Sequence, residues 1–282
     1  MAGRLSRSIA LAKASWSVVR ADKELLWLPV LSAASLLLLV ASFLLPAAAL
    51  GVFTHGRSGN SQVIVGLGLF AFFVLAYYVG IFFNTALVGA AMIRMDGGNP
   101  TLRDGLAIAR ARAGRIFGYA LIAATVGLLL QALEQRIGWL GSWVVRLVGV
   151  GWTLATFLVV PVLVVKDAGP LDAVKESASL LRKTWGENLI GAAGLTLAFG
   201  VAQVILVVLA ACGTWLGAEA NLPAVVFAFI ALGVIGFVAL VVLQSTMQGV
   251  YSAALYRYAT DKEASTPGVP SGLLQVAFQP KS

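Results

Sequence analysis

Charge is what this sequence has least of. Asp, Glu, Lys and Arg make up 11% of its 282 residues, less than half the share of an ordinary soluble domain, about 25%. These charges lie between long uncharged runs, which excludes a soluble globular fold. Cysteine is nearly absent too. Cys212 stands alone, which rules out an intramolecular disulfide and a two-cysteine metal site. Histidine occurs once, as His55 in a short polar stretch with no second ligand beside it, and a lone loop histidine reads as solvated. No serine or cysteine has a histidine and an acid at a motif spacing. Gly97-Gly98-Asn99 lacks the Gly-Lys-Ser/Thr that completes a phosphate loop, so it reads as a turn. No catalytic, cofactor or metal site is expected, and the chain does not read as an enzyme.

Apolar sequence is abundant, at 60% of the residues. It falls into six runs, about 25–50, 63–92, 116–133, 148–165, 189–212 and 224–251, each long enough to cross a bilayer as a helix. The expected fold class is all-α: a polytopic membrane helical bundle of six transmembrane helices. It forms one domain over 1–259, with a disordered cytoplasmic tail over 260–282. Pro46-Ala47-Ala48-Ala49 resembles a signal-peptide cleavage region. The run before it, Leu25 to Leu45, exceeds the usual h-region of about 7–15 residues, so it reads as an uncleaved span. Pro161 marks a kink in the fourth span, and Trp139 and Trp143 suit a membrane–water interface.

Three amphipathic helices precede spans. In residues 4–20, Leu5, Ile9, Ala12, Trp16 and Val19 share one face, flanked by Arg4, Arg7, Lys13 and Arg20. The second follows the Gly-Gly-Asn-Pro turn, where Thr101 and Asp104 have capping-box spacing. Leu102, Leu106, Ala109 and Ala113 form its apolar face, and Arg103, Arg110, Arg112 and Arg115 lie off it. The third puts Val174, Ala178, Leu181 and Trp185 on one side, with Lys175 and Arg182 among the charges elsewhere. Such helices lie on a membrane surface. Their ten cations read as contacts for anionic lipid headgroups of the inner leaflet. The net charge of +8 implies no nucleic-acid partner, because the cations sit beside spans. Asp96 and Asp104 are expected to pair locally with Arg94 and Arg103.

Seventeen of the twenty Lys and Arg fall on one side of a six-span arrangement, which makes that side the cytoplasm. Both termini are then inside, and the chain is a multi-pass protein of the cytoplasmic (inner) membrane. A shift of 162 carries Ala12, Lys13, Ser15, Trp16, Ser17, Val19 and Arg20 onto Val174, Lys175, Ser177, Ala178, Ser179, Leu181 and Arg182. That agreement suggests a unit of surface helix plus two-span hairpin, used three times.

The runs FFNTALVGAAMIRMDGGNPTLRDGL, DKELLWLPVLSAASLLLLVASFLLP and AVKESASLLRKTWGENL resemble an uncharacterised prokaryotic family of six-span membrane proteins, catalogued as a domain of unknown function. The resemblance implies the topology and supplies no activity. The layout also resembles membrane domains found beside glycerophosphodiesterases, but their catalytic barrel is missing, so no phosphodiesterase activity carries over.

No Asp, Glu, Lys or Arg lies within the six runs, where charge commonly marks ion and proton paths. The polar residues there include the amides Asn84, Gln203 and Gln244. They either link helices by hydrogen bonds of about 0.6 kcal/mol each or line a path for a solute. Gly194 and Ala198, with Gly191 and Gly200 nearby, suit close helix approach in the fifth span. The function read from sequence is a membrane scaffold or accessory subunit that binds anionic lipid, another membrane protein or itself. The alternative is a carrier or channel for a small uncharged or amphiphilic solute.

Overall fold

A computed structural model describes residues 15–49 and 59–264. Arg4, Arg7, Lys13, His55 and the tail from 265 lie outside the described residues, and Trp185 and Gly191 lie outside those whose side chains are described. Among the described residues all regular structure is helical. Six helical stretches are long and apolar enough to cross a membrane: Lys23–Ala48, Val63–Met95, Ala113–Arg136, Gly141–Val165, Gly194–Glu219 and Pro223–Thr260.

Residues 15–21 are helical and lead through a 3-10 turn, Lys23–Leu26, into α1 (Trp27–Ala49). Then come α2 (Gly59–Met95), the short α3 (Leu102–Ala111) and α4 (Ala113–Arg136). The fourth span is split into α5 (Trp139–Ala155) and α6 (Val159–Val165), and α7 (Pro170–Glu219) and α8 (Pro223–Ala264) complete the chain. At 50 residues, α7 is about 75 Å of unbroken helix. The third surface helix and the fifth span, read separately from the sequence, are therefore one element. The last helix likewise takes in residues 260–264, assigned to the tail by sequence.

Two helix ends close in the same way. After α2, Gly97 adopts φ +83°, its N–H bonds the Arg94 carbonyl at 3.1 Å, and Gly98 N–H bonds the Ile93 carbonyl at 3.0 Å. After α7, Asn221 adopts φ 53°, with its N–H on the Ala218 carbonyl at 3.0 Å and Leu222 N–H on the Gly217 carbonyl at 2.9 Å. Both are Schellman motifs, which need a residue that tolerates the left-handed region. By sequence Thr214 to Pro223 reads as a tight connection, yet the helix runs to Glu219 and only 220–222 turn.

The fourth span breaks where Pro161 dictates. Lacking an N–H, Pro161 cannot bond the Phe157 carbonyl, and the helix is interrupted over 156–158 instead of kinking at the proline. The freed Leu158 N–H donates to the buried Ser177 Oγ at 3.0 Å. The sequence starts this span at 148, but Trp139 to Leu147 already belong to α5.

Helices α7 and α8 pair closely through glycines. Gly213 faces the Phe229 ring, Gly217 faces Val225 and Val226, Gly233 faces Ala210 and Gly236 faces Leu206. Gly194 and Gly200 have open space where a side chain would start, and Ala198 is exposed. Gly194, Ala198 and Gly200 thus lie away from this contact.

Burial is concentrated around the C-terminal half of α2, on which α3 and α6 pack, and where α6 meets the start of α7. Leu87, Ile116, Leu158, Leu163, Leu180, Tyr251 and Leu255 are fully enclosed there. Toward the opposite end apolar side chains such as Leu38, Ile64, Val204 and Ile235 are exposed, as helices facing lipid require.

Candidate functional site

The site begins with the cap of α3. Thr101 Oγ1 accepts from Asp104 N–H at 3.3 Å, and Asp104 Oδ2 accepts from Thr101 N–H at 2.9 Å. This reciprocal box holds the Asp104 carboxyl below its usual pKa, chiefly through the Thr101 backbone N–H and next through its hydroxyl. Glu24 Oε2 accepts from Leu102 N–H at 3.2 Å, so the turn before α1 also caps α3. One side of α3 packs on α2: Gly105 lies against the Ala86 carbonyl, and Ile108 fills the space at Gly89. Arg103 and Arg110 are exposed.

The remaining cations divide. Arg115 pairs with Asp167. Lys166 meets Glu176 at 2.6 Å, and Lys175 meets Asp172 at 3.5 Å. Arg112 occupies the junction of α3 and α4, with its Nε buried and unbonded among the described residues. Arg20 and Arg182 are exposed. Among the described residues neither local acid pairing expected from sequence closes into an ion pair, although the Arg103 charge does help to lower the Asp104 pKa. Arg94 donates to the Gly98 carbonyl at 3.1 Å, while Asp96 is taken by Arg257, which also donates to the Met92 carbonyl at 3.4 Å. Arg257 lies 161 residues after Asp96, so no local spacing could have shown that pair.

In the other two surface segments the buried face is turned by about one position from the sequence reading, although Val19 is buried as that reading expects. Ser15, Val18 and Val19 are buried whereas Trp16 is 42% exposed. In α7 the buried positions are Ala173, Ser177 and Leu180, and Val174, Ala178 and Leu181 are only half-buried. Hydrophobicity alone favours Trp16, but a small hydroxyl at Ser15 or Ser177 fits the packed side better.

Within the spans, Gln203 Nε2 donates to Gln244 Oε1 at 3.0 Å, and Gln248 Nε2 donates to Thr196 Oγ1 at 3.2 Å. Both bonds join α7 to α8. Asn84 belongs to α2 and lies beside Gly249, so the three predicted amides do not converge on one point. Thr196 and Gln248 were missed, although Gln244 and Gln248 are four apart and share a helix face. Near the other end Arg146 bonds Glu134 at 2.8 Å, its guanidinium 5.9 Å from the Trp143 ring centre. Arg146 lies inside Gly141–Val165, an exception to the charge-free spans read from sequence. Among the described residues no three His, Cys, Asp or Glu side chains gather as a metal ion would need.

Residues 63–266, nearly three-quarters of the chain, match DUF6159, a family of unknown function. The chain belongs to that family. The DUF6159 stretch contains the capped α3, both α7–α8 polar pairs and Arg257. It leaves out the first hairpin's opening helix, α1, and with it the run DKELLWLPVLSAASLLLLVASFLLP. No curated protein and no solved structure matches the chain.

Proposed function

We propose that this DUF6159 protein is a membrane scaffold or accessory subunit of the cytoplasmic membrane. Both termini are inside, and its basic end holds anionic lipid headgroups beside another membrane protein or a second copy. The observation that carries this reading is the sidedness of α3. Gly105 and Ala109 are spent on packing while Arg103 and Arg110 stay exposed. A helix buried on one side and cationic on the other suits a headgroup layer. Arg115 and Lys175 already share their charge with acids, so they contribute less. Gln203 and Gln244 bond each other, which suits helix linkage better than a solute path.

Replacing Arg103, Arg110, Arg112 and Arg115 with Gln is expected to weaken attachment of this segment to anionic bilayers by up to about 1 kcal/mol per residue. Hydrogen exchange across 101–113 in anionic and neutral nanodiscs reads it. Equal protection in both lipids would count against the headgroup role. The carrier or channel reading draws on the interrupted fourth span, since broken helices can build solute sites. Flux into liposomes that depends on the protein and falls with Gln203→Ala would favour it over the scaffold.

A further inference from the structure

Helix α3 rests mainly on α2, where Gly105 and Ile108 pack its middle against Ala86 and Gly89. Its first turn is held from elsewhere. Of the amides left open at a helix start, Asp104 N–H is taken by Thr101 and Leu102 N–H by Glu24, 78 residues earlier. Glu24 belongs to the turn Lys23–Leu26, which packs on α1, α2 and α8 and reaches α3 through this carboxylate. Val18 and Val19 fix the segment before the turn in the core, and Leu25 anchors the turn itself. Lys23 precedes the carboxylate and Arg103 follows the amide it holds, and both are exposed. An acid between two cationic segments offsets their repulsion as well as capping the helix.

We propose that Glu24 is a coupling strap between residues 15–26 and α3, so that whatever orders one orders the other. Coupling between two sites is reciprocal. A headgroup layer that steadies α3 therefore tightens the N-terminal segment, and loss of that segment's grip loosens α3. The lipid half of this statement rests on the reading proposed above, and the coupling itself does not.

Hydrogen exchange on the full chain tests both halves. In detergent, Glu24→Ala is expected to speed exchange about fivefold at 15–26 and at 101–111 alike, the usual worth of a helix cap. Leu102→Pro removes the amide on the other side of the bond. Proline is tolerated at the first helical position, and Thr101 already has the extended backbone that must precede it, with φ −99° and ψ 162°. This variant should speed exchange at 15–26 by a similar factor, and adding Glu24→Ala should speed it no further there. Glu24→Gln keeps an acceptor oxygen and should retain most of the protection. Variants that loosen only their own segment, or effects at 15–26 that multiply, would overturn the coupling. In nanodiscs, residues 15–26 should be better protected with phosphatidylglycerol than with phosphatidylcholine. That difference should vanish in the Arg103→Gln, Arg110→Gln double variant and in Glu24→Ala, although both keep Arg20 and Lys23. A difference that survives both would overturn transmission through Glu24. Equal protection of 101–113 in the two lipids, with the detergent result intact, would keep the coupling and sink the headgroup reading instead.

Discussion

Asn221 and Gly97 hold the same left-handed conformation at the ends of α7 and α2, and they illustrate what single residues decide in this molecule. A side chain branched at Cβ suffers there by about 1–2 kcal/mol. Asn221→Val is expected to lower stability by that amount and Asn221→Gly to leave it nearly unchanged, read as thermal unfolding in detergent. The turn is legible in the sequence as a Gly-Gly or Asn-Leu-Pro stretch, but the helix end is not, because polar residues on a final turn resemble a loop. Asp104 adds a pH dependence. Its folded pKa is depressed, so the contribution is present above the unfolded value of about 3.9 and is lost as pH falls through the folded value. Local opening of 101–105 by hydrogen exchange, corrected for intrinsic rates, is expected to be flat from about pH 7 to 5 and to rise only below about pH 4. Thr101→Ala, which removes the hydroxyl half of the box, should cost about 1 kcal/mol.

At the scale of elements, Ser177 is what makes the break between α5 and α6 tolerable. Ser177→Ala strands the Leu158 amide in a buried setting, and an unsatisfied donor costs about 1–3 kcal/mol. Unfolding of the variant should show that loss, and no change would mean the amide finds another acceptor. Pro161 announces the interruption in the sequence, and its partner does not, because nothing in the order of residues ties 158 to 177. The same limit applies to the α7–α8 pairing. Small residues recur all along both helices, and spacing alone chose Gly194 and Ala198. The observed contact uses Gly213 and Gly217 against Phe229 and Val226, positions fixed by where the hairpin turns. Leu at Gly213 meets the Phe229 ring and should disrupt the hairpin, whereas Leu at Gly200 meets open space.

For the whole molecule, the six apolar helices were readable from length and composition, because a bilayer demands about 20 such residues per crossing. The candidate site was half readable. The capping box and the exposed arginines of α3 follow local rules, while Arg257 on Asp96, Glu24 on Leu102 and Gln248 on Thr196 are contacts between distant parts of the chain. The orientation proposed from the basic residues has its own check. With Cys212 replaced, cysteines introduced at Ser58 and Ser179 should differ in labelling by an impermeant thiol reagent on intact cells. Ser58 is expected to react and Ser179 to stay protected, and equal labelling would overturn the arrangement.

The clasp of Arg257 on Asp96 and the Met92 carbonyl also has a meaning in time. A ribosome makes α2 long before it makes residue 257, so the end of α2, its carbonyls already closed by the Schellman turn, first forms with Asp96 unpaired. The last helix to be synthesised supplies the missing cation. Chains halted short of that point keep the turn that ends α2 but lack the tie that fastens it to α8.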